Sequence, residues 1–261
     1  MMATDVDPTA IVGEGVELGE GVSVGPYCVL GKGVKIGRGT RLLSHVSVEG
    51  RAEIGEGCSV FPYVSIGFAP QDVKYKDEDT SVRIGNNNVI REYVSIHRAS
   101  VGGSGVTVIG DDNFLMNYVH VAHDCHIHNH VVVANSVAFA GHVAVEDYAF
   151  IGGFTGVHQH ARIGAYAMVA AITRLSMDVP PYVMVKGTEK ARLFGLNVVG
   201  LKRRGFSEET IGELKSAYKI LFRDKLSLKD AMRKIQEELP YTDEIKRLIE
   251  FIQQNKRGIC R

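Results

Sequence analysis

Aliphatic residues recur at every sixth position along most of the chain up to Leu175. The pattern breaks twice, yet all of its positions are apolar, which a composition with 45% hydrophobic residues does not produce by chance. An amphipathic α-helix needs a period near 3.6 residues, so the pattern excludes a long helix and favours short strands. The positions are Val12, Leu18, Val24, Leu30, Ile36, Leu42, Val48, Ile54, Val60, Ile66, Ile84, Ile90, Ile96, Ile109, Leu115, Val121, Ile127, Val133, Phe139, Val145, Ile151, Val157, Ile163, Val169 and Leu175.

Each six-residue unit has the composition of a short strand followed by a corner. The residue two places before each aliphatic is small or β-branched. The residue directly after the aliphatic is often glycine, as at Gly13 and Gly37. Glycine permits tight corners, and three units, or 18 residues, close one triangular coil around the aliphatic side chains. We therefore predict a mainly β fold, a parallel β-helix over residues 1–187, with loops projecting at about 68–82 and 97–107.

The last part of the chain has a helical pattern instead. The repeat stops after Leu175, and Pro180-Pro181 marks the exit. Three amphipathic segments follow, each beginning at a residue type that caps helix N-termini, and they predict a C-terminal α-helical domain over residues 188–261. The segments lie near 207–222, 227–238 and 242–256, with Ser207, Ser227 and Thr242 as their caps.

Charge and cysteine content narrow the class of protein. Lys plus Arg and Asp plus Glu number 30 each, so the overall charge does not indicate a nucleic-acid partner. A basic segment followed by an apolar leader is absent from the start of the sequence, as is any apolar run of membrane-spanning length, so we expect a cytoplasmic protein without stable membrane insertion. The four cysteines form no C-x-x-C pair, which argues against a disulfide framework and a structural zinc site.

Most of the ten histidines fall between residues 97 and 160. Positions 18 apart lie one above another in such a coil, so His123 is stacked with Gly141 and Gln159, and Asp124 with His142 and His160. His158 lies beside them on the same corner. A single histidine is most often an ordinary surface residue, but several polar groups converging beside a glycine corner indicate a candidate site.

The chemistry of this column suits acyl transfer to a hydroxyl group. A histidine beside a carboxylate, such as His123 beside Asp124, can act as a general base near neutral pH. The backbone N–H of Gly141 can bind the oxyanion of a thioester under attack. Cys125 occupies the small inward position of the repeat, which argues against a covalent intermediate on its sulfur.

Eight segments in this order resemble one family of enzymes. The sequence is similar over essentially its full length to the bacterial UDP-N-acetylglucosamine acyltransferases of lipid A synthesis, which belong to the hexapeptide-repeat acyltransferases. The segments are Gln71-Asp-Val-Lys-Tyr, Ile96-His-Arg, His120-Val-Ala-His-Asp-Cys, Ala140-Gly-His-Val, Ile151-Gly-Gly, Val157-His-Gln, Asp178-Val-Pro-Pro-Tyr and Gly200-Leu-Lys-Arg-Arg-Gly-Phe-Ser.

The resemblance implies a left-handed β-helix, although parallel crossovers are normally right-handed. It also implies a homotrimer that needs no metal or other cofactor and moves a (R)-3-hydroxyacyl chain from acyl carrier protein to the 3-hydroxyl of UDP-N-acetylglucosamine. By position, His123 matches the catalytic base, Asp124 the group that orients it, and Gly141 the oxyanion donor.

Further positions match substrate contacts of the family. Asp72 and Lys74 match groups that reach the substrate from a neighbouring subunit, and Asn197 and Arg203 match groups near the acyl pantetheine and the nucleotide phosphates. The other substrate-binding positions are His120, His142, His158 and Gln159. Met168 and Ala171 match the acyl-chain ruler, where members that accept long chains tend to have glycine at the second position. We therefore expect a somewhat shorter preferred acyl chain here.

Three alternatives remain open from the sequence. A zinc-dependent hydrase of the gamma carbonic anhydrase type has the same fold and binds zinc through histidines at subunit seams, for which His120, His123, His126, His128 and His130 are candidates. A non-enzymatic scaffold would leave the polar column without a purpose. A related enzyme that N-acylates a glucosamine carries an additional N-terminal domain, whereas the repeats here begin near residue 10.

Overall fold

The computed structural model describes residues 3–255 and 257–261. Short parallel strands wind into a three-sided prism, and each strand of the β-helix pairs with the strands one coil before and after it on the same face. Ser23, Arg41 and Ser59, which are 18 residues apart in sequence, lie side by side on one face. The predicted coil of three strands is therefore confirmed.

Three parallel faces make up the prism. The strands of the first face are Asp5–Val6, Ser23–Val24, Arg41–Leu42, Ser59–Val60, Val89–Ile90, Phe114–Leu115, Val132–Val133, Phe150–Ile151, Met168–Val169, Val183–Lys186 and the antiparallel Arg192–Leu196. Those of the second face are Ile11–Val12, Val29–Leu30, Ser47–Val48, Ser65–Phe68, Ser95–His97, His120–Val121, Ala138–Phe139, Gly156–Val157 and Arg174–Leu175. Those of the third face are Glu17–Leu18, Lys35–Ile36, Arg51–Ile54, Ser81–Ile84, Val106–Ile109, His126–Ile127, Ala144–Val145 and Arg162–Ile163.

The sixth-residue aliphatics fill the interior of the prism. From Val24 to Leu175 every one of them is buried, as the repeat predicts. Val12 is exposed and Leu18 is half-buried because they lie in the first coil, at the open N-terminal end. Burying one such side chain contributes about 1.5–3 kcal/mol, so the stack is the main source of stability of this part of the chain.

Apart from Gly67, whose φ is 80°, the glycines that follow the aliphatics have a different role from the one predicted. Gly13 and Gly37 do not adopt the left-handed conformation, which instead occurs two residues later, as at Gly15 and Gly39. A Cβ on Gly37 would lie only 2.5 Å from the backbone of the next coil, at Gly55. These glycines are therefore required for close approach between coils and not for the corner conformation.

Each edge of the prism turns on residues with φ near +60°, and many of them are not glycine. Surrounding ladder hydrogen bonds hold this conformation, which is otherwise unfavourable for a residue with a Cβ. We name as the aromatic edge the corner between the first and second faces, where these residues are Tyr27, His45, Tyr63, Tyr93, Tyr118, Ser136, Phe154 and Ile172. We name as the histidine edge the corner between the second and third faces, where they include Asp124, His142 and His160.

Both interruptions of the repeat form loops at the histidine edge. The first loop, residues 69–80, joins strand Ser65–Phe68 of the second face to strand Ser81–Ile84 of the third. The second loop, residues 98–105, joins Ser95–His97 to Val106–Ile109 across the same corner. Two insertions into a regular scaffold thus enclose one edge.

Four helices follow the β-helix: α1 (Val198–Arg203), α2 (Glu208–Phe222), α3 (Leu228–Glu238) and α4 (Asp243–Gln253). The last three and their caps at Ser207, Ser227 and Thr242 are confirmed, and α1 is an addition. The last helix ends at Gln253, short of the predicted end near 256, and residue 256 itself lies outside the described residues. The predicted boundary between residues 187 and 188 falls within the hairpin of Val183–Lys186 and Arg192–Leu196, and that division of the chain stays a prediction.

The helical part covers the third edge of the prism, between the third and first faces. Tyr148, Tyr166 and Tyr182 stack there, and Phe206, which precedes α2, packs edge-on against the last two rings. The guanidinium of Arg204 lies over the ring of Tyr148. Among the described helices, none has the length and apolar character that crossing a bilayer requires.

Candidate active site

A histidine and a carboxylate form a close pair on the histidine edge. Nδ1 of His123 lies 2.9 Å from Oδ2 of Asp124, and the two side chains are 17% and 1% exposed. With the Nδ1 hydrogen donated to the carboxylate, Nε2 is left with a free lone pair, which is the tautomer that a general base needs. The predicted pair of His123 and Asp124 is therefore in place.

The second loop surrounds the carboxylate of Asp124 with donors. Ser100 donates from its backbone N–H and its hydroxyl to Oδ2, at 3.0 and 2.8 Å, and the N–H of Ser104 donates to Oδ1 at 3.0 Å. A Cβ on Gly103 would collide with the same carboxylate. Sequence reasoning missed these residues, because only the folded loop brings them to Asp124.

The donors change the acidity of this carboxyl group. Burial by itself raises the pKa of Asp124, but hydrogen bonds from His123 and from the backbone and hydroxyl of Ser100 outweigh it and hold the pKa below its usual value. Asp124 is therefore a fixed anion at neutral pH, suited to orienting His123 and to stabilising its protonated form.

Gly141 lies against the ring of His123, as the coil spacing predicts. A Cβ at this position would lie 2.6 Å from Nε2 of His123. Within the described chain, the N–H of Gly141 donates to no acceptor, while its carbonyl accepts from the N–H of His160. The corner thus offers an unpaired backbone donor beside the candidate base.

A column of imidazoles extends from the base along the edge. The rings of His123 and His142 meet edge to face with centroids 5.1 Å apart, and His160 stacks on His142 at 4.4 Å. Burial lowers the pKa of His142. His158 and Gln159 are exposed on the next coil, and Nδ1 of His158 lies 3.2 Å from the Gln159 carbonyl oxygen.

His120 connects the site to the first loop. Its Nδ1 lies 2.8 Å from the hydroxyl of Ser95, and its ring meets that of His97 edge to face. Nδ1 of His97 in turn lies 2.7 Å from the carbonyl oxygen of Ala69, at the start of the loop. Burial lowers the pKa of both His97 and His120, so both are neutral at neutral pH.

The first loop places Asp72 beside the histidine edge of its own chain. The carboxylate of Asp72 accepts from the backbone N–H of Lys74 at 2.9 Å and lies close enough to His142 for its charge to act on that ring. The Lys74 side chain is exposed. Arg98 holds the loop by donating to the Tyr75 hydroxyl and the Gly67 carbonyl oxygen. Asp72 therefore lies near the histidine edge of its own chain, and its expected contact with substrate from a neighbouring subunit stays a prediction.

Three other predicted residues line a cleft of about 460 Å³ on the first face: Met168, Asn197 and Arg203. Its floor is apolar, with Val132, Phe150 and Met184 beside Met168. Asn197 caps α1 by accepting from the N–H of Gly200 and donates to the Tyr166 carbonyl, so its amide also shapes the cleft. Arg204 lines this cleft as well.

Ala171 is exposed at the corner that follows strand Met168–Val169. It lies at the aromatic edge and not among the residues that line the cleft. The structure therefore places Met168 inside the cleft on the first face and Ala171 beyond it, at the corner where that face ends.

One group in the described part of the chain has the spacing of a metal site. The candidate ligand atoms of His123, Asp124 and His142 lie within 4.8 Å of one another. Both oxygens of Asp124 already accept hydrogen bonds, which suits an acid–base pair better than a metal ligand. Of the other histidines considered for zinc, His126 and His128 stack on each other at the third face, and His130 lies at the third edge.

Cys125 is not available as a nucleophile. Its side chain is fully buried in the prism, and burial raises the pKa of its thiol to about 12. The thiolate, which is the reactive form, is therefore negligibly populated at neutral pH.

Comparisons with known proteins agree with this geometry. A family model for bacterial transferase hexapeptide repeats matches residues 106–141, and one described as UDP N-acetylglucosamine O-acyltransferase, domain 2, matches residues 178–260. The acyl-(acyl-carrier-protein)-UDP-N-acetylglucosamine O-acyltransferase of Thermodesulfovibrio yellowstonii is 60% identical over 257 residues, which cover 98% of this chain and 99% of the relative.

Solved structures give the same result. The UDP-N-acetylglucosamine acyltransferase of Francisella novicida is 40% identical, with a TM-score of 0.95 over 98% of this chain and 94% of that one. The LpxA structure from Acinetobacter baumannii is 42% identical, with a TM-score of 0.95 over 98% and 99% of the two chains.

The prism of hexapeptide repeats with a histidine–carboxylate pair on one edge is that of the hexapeptide-repeat acyltransferases, and the prediction of a left-handed β-helix is confirmed. Within this class, the chain belongs to the acyl-(acyl-carrier-protein)-UDP-N-acetylglucosamine O-acyltransferase family, whose reaction is the first step of lipid A synthesis. The alternative of a zinc-dependent hydrase finds no support in these comparisons.

Proposed function

We propose that His123 is the general base in the transfer of a (R)-3-hydroxyacyl group from acyl carrier protein to the 3-hydroxyl of UDP-N-acetylglucosamine. The observation that carries this proposal is the hydrogen bond between Nδ1 of His123 and Asp124, whose carboxylate is itself held by the second loop. It fixes the ring orientation and leaves Nε2 as the basic atom.

The reaction balances without a cofactor. Nε2 of His123 takes the proton of the sugar hydroxyl as that oxygen attacks the thioester carbonyl carbon. The N–H of Gly141 stabilises the resulting oxyanion. When the tetrahedral intermediate collapses, the carbon–sulfur bond breaks, and the proton on His123 passes to the departing thiolate of the carrier protein.

The remaining substrate contacts follow from where the polar groups lie. We assign His120, His142, His158 and Gln159 on the histidine edge, and Asp72 and Lys74 in the first loop, to the sugar and its neighbouring groups. Arg203 beside the cleft suits a nucleotide phosphate, because its planar guanidinium can bind two oxygens. Asn197 shapes the same region.

A second copy of the chain is needed to complete this site. In a triangular prism the histidine edge lies opposite the first face, and the cleft with Met168 and Arg203 lies on that face. One chain therefore presents the base and the cleft in opposite directions. We infer a homotrimer in which the cleft of one copy faces the histidine edge of the next, because such a head-to-tail contact can close into a ring.

The helical domain is the natural contact for an acidic acyl carrier protein. Residues 202–261 carry 15 Lys and Arg against 10 Asp and Glu, a net charge of 15 − 10 = +5. Complementary charge accelerates the encounter of two proteins. We also propose that the reaction takes place in the cytoplasm, as expected from the sequence.

Met168 and Ala171 are assigned to the limit on acyl-chain length. The Ala171 methyl group occupies volume that glycine would leave free, so we expect a somewhat shorter preferred chain than in members with glycine. Ala171→Gly should shift the preference toward longer hydroxyacyl donors, as measured by mass spectrometry of products from a donor mixture. Equal turnover of long and short donors by the unchanged protein would contradict the assignment.

Replacement of the base tests the proposed function directly. His123→Ala should lower kcat by about 10²–10⁴-fold, the usual contribution of a general base, with the oligomer unchanged in sedimentation. His130→Ala is the matched control, because His130 also lies near an aspartate, Asp112, but at 3.9 Å and on the third edge. Substantial activity in His123→Ala, or an equal loss in His130→Ala, would end the proposal.

A further inference from the structure

We propose that Arg98 is a positioning residue for the reaction, because its guanidinium holds the first loop in the shape that presents Asp72 and Lys74 to the nucleotide sugar. This inference rests on the proposed function, which assigns those two residues to the sugar and its neighbouring groups, and it adds the residue on which their placement depends. The observation behind it is a nearly buried side chain that bonds to both the loop and the prism.

The guanidinium of Arg98 donates from each of its three nitrogens. Its Nε donates to the Tyr75 hydroxyl at 2.8 Å, and its Nη1 donates to the Gly67 carbonyl oxygen at 3.1 Å. Its Nη2 donates to Oδ1 of Asp77 at 3.2 Å, but the Asp77 side chain is 90% exposed whereas that of Arg98 is 15% exposed. An ion pair with so exposed a partner contributes little, so Tyr75 and Gly67 are the contacts that fix the guanidinium.

The surface of the prism is shaped to receive this side chain. A Cβ on Gly50 would lie 3.3 Å from Nη1 and 3.5 Å from Cδ of Arg98, so the glycine leaves room for it. On the other side, the guanidinium lies over the ring of Tyr75, 5.4 Å from its centroid. Arginine suits this position because its planar donors have fixed directions, whereas the lysine ammonium is a compact charge on a flexible stem.

Tyr75 connects Arg98 to the residues assigned to the sugar. Its backbone N–H donates to the Asp72 carbonyl oxygen at 3.0 Å, and the N–H of Lys74 donates to the Asp72 carboxylate at 2.9 Å, which closes a turn over residues 72–75. The Tyr75 hydroxyl, which accepts from Arg98, also donates to the Glu78 carbonyl oxygen. Holding the Tyr75 ring therefore holds the turn.

The loop has little buried surface of its own between its ends. Residues 71–79 are all exposed or half-buried. His97 contacts the start of the loop, and the Thr80 hydroxyl donates to the Ala99 carbonyl oxygen at its end. A segment with so few buried contacts opens at a low cost in free energy. The conformation of its middle therefore depends on Arg98.

Replacement of Arg98 by methionine tests the inference, because it keeps a long apolar stem and removes the donors. Arg98→Met should raise the KM for UDP-N-acetylglucosamine by about tenfold to a hundredfold, the effect of losing a hydrogen bond to a charged group. The KM for the acyl donor should stay within about twofold of the wild type, since the loop is not assigned to it. The change in kcat should be smaller than that in KM, because neither His123 nor Asp124 bonds to Arg98.

Arg51→Met is the matched control. Arg51 also bonds to an aspartate of the first loop, Asp79, at 2.8 Å, but the two side chains are 74% and 64% exposed. Its removal should leave both KM values within about twofold of the wild type. A rise in the KM for the sugar as large as that of Arg98→Met would overturn the inference.

Two further variants separate positioning from direct contact with substrate and from charge alone. Tyr75→Phe removes one hydroxyl and is the variant to use if Arg98→Met does not fold. It should raise the same KM, and adding it to Arg98→Met should raise that KM by no more than about twofold further, because the two groups act as one unit. Arg98→Lys keeps the charge but not the planar donors, so its KM for the sugar should stay well above that of the wild type.

Limited proteolysis measures the loop without measuring activity. Lys74 and Lys76 are exposed trypsin sites within it. Cleavage after these residues should be about tenfold faster in Arg98→Met than in the wild type or in Arg51→Met, because proteolysis reports the population of the open loop. Mass spectrometry of the fragments identifies the cut.

The outcomes separate this inference from the proposed function. An unchanged KM for the sugar in Arg98→Met or Tyr75→Phe, a wild-type KM in Arg98→Lys, or unchanged cleavage of the loop would overturn the inference and leave His123 assigned as the base. Substantial activity in His123→Ala would instead contradict the proposed function, whatever the loop does.

Discussion

The histidine edge and the aromatic edge are built from the same six-residue repeat, yet their outward side chains behave in opposite ways. At the histidine edge, His123, Asp124 and Ser100 bond to one another, and the Asp124 side chain is only 1% exposed. At the aromatic edge the rings only stack, and about half of each tyrosine faces water. The inward residues of the repeat therefore build the prism, whereas the outward residues of each corner give that corner its function.

The two loops account for much of this contrast. Both are inserted at the histidine edge, and they supply Ser100, Ser104 and Asp72. The aromatic edge has no insertion, and no loop covers its exposed rings. Substitutions at the histidine edge should change the chemistry without changing assembly.

The largest expected effect in this comparison is that of Asp124→Asn. Without the charge, the ring of His123 loses its orientation and the stabilisation of its protonated form, so kcat should fall by about 10²–10⁴-fold at neutral pH. Steady-state kinetics with a labelled acyl donor measures it, and sedimentation should still give the wild-type oligomer. Dissociation of the oligomer in this variant would contradict the proposal that the histidine edge serves the chemistry and not the assembly.

Asp112→Asn is the control for that experiment. Asp112 adopts nearly the same backbone conformation, with φ of 57° against 58°, but its pairing with His130 is loose and exposed. It should leave kcat within about twofold of the wild type, because exposed ion pairs contribute little. A fall in kcat as large as that of Asp124→Asn would show that the carboxylate on the histidine edge has no particular role in the reaction.

A smaller loss is expected when the second loop is displaced. Gly103→Ala would push a methyl group into the Asp124 carboxylate, whereas a Cβ on the neighbouring Gly102 meets nothing within 4 Å. Losing one hydrogen bond to a charged group costs about 1.5–3 kcal/mol, so kcat should fall by roughly tenfold to a hundredfold in the first variant only. Steady-state kinetics of Gly103→Ala and Gly102→Ala, measured side by side, tests this prediction. Equal kcat values in the two variants would show that the second loop does not contribute to the site.

The smallest expected effect concerns stability against pH. Burial lowers the pKa of His97, His120 and His142 at the histidine edge. Below the usual pKa of about 6.5 the unfolded chain therefore binds more protons at these residues than the folded chain, and the free energy of unfolding should decrease as pH falls. Urea unfolding at a series of pH values measures this slope.

His120→Gln should make that slope shallower, and the total loss of stability toward low pH should become smaller by about 1.4 kcal/mol for each unit by which the folded pKa of His120 is depressed. A slope that is unchanged in His120→Gln would contradict this prediction.

The fold could be predicted from the sequence because its rule is local. One aliphatic in six, repeated coil after coil, leaves few alternatives to a three-sided prism, and the buried positions match. Helix caps such as Ser207 were equally predictable, because a cap depends only on the next few residues. The short helix α1 was missed because its six residues carry too little periodicity.

The candidate site was only partly predictable. The proximity of His123, Gly141 and His142 could be predicted from the length of one coil, because residues 18 apart lie one above another whatever their side chains contact. It could not place Ser100 or Arg98, which lie in loops where the repeat is broken and the path of the chain depends on the bonds it finds.

The strict six-residue period was enough to predict the three-sided coil, the inward core and the alignment of the polar column, because these depend only on spacing along the chain. The corner that the loops enclose, the hydrogen bonds that keep Asp124 charged and the edge that is left uncovered became visible only in the folded chain. Those features depend on contacts between residues that have no fixed spacing, so they exist only once the chain is folded.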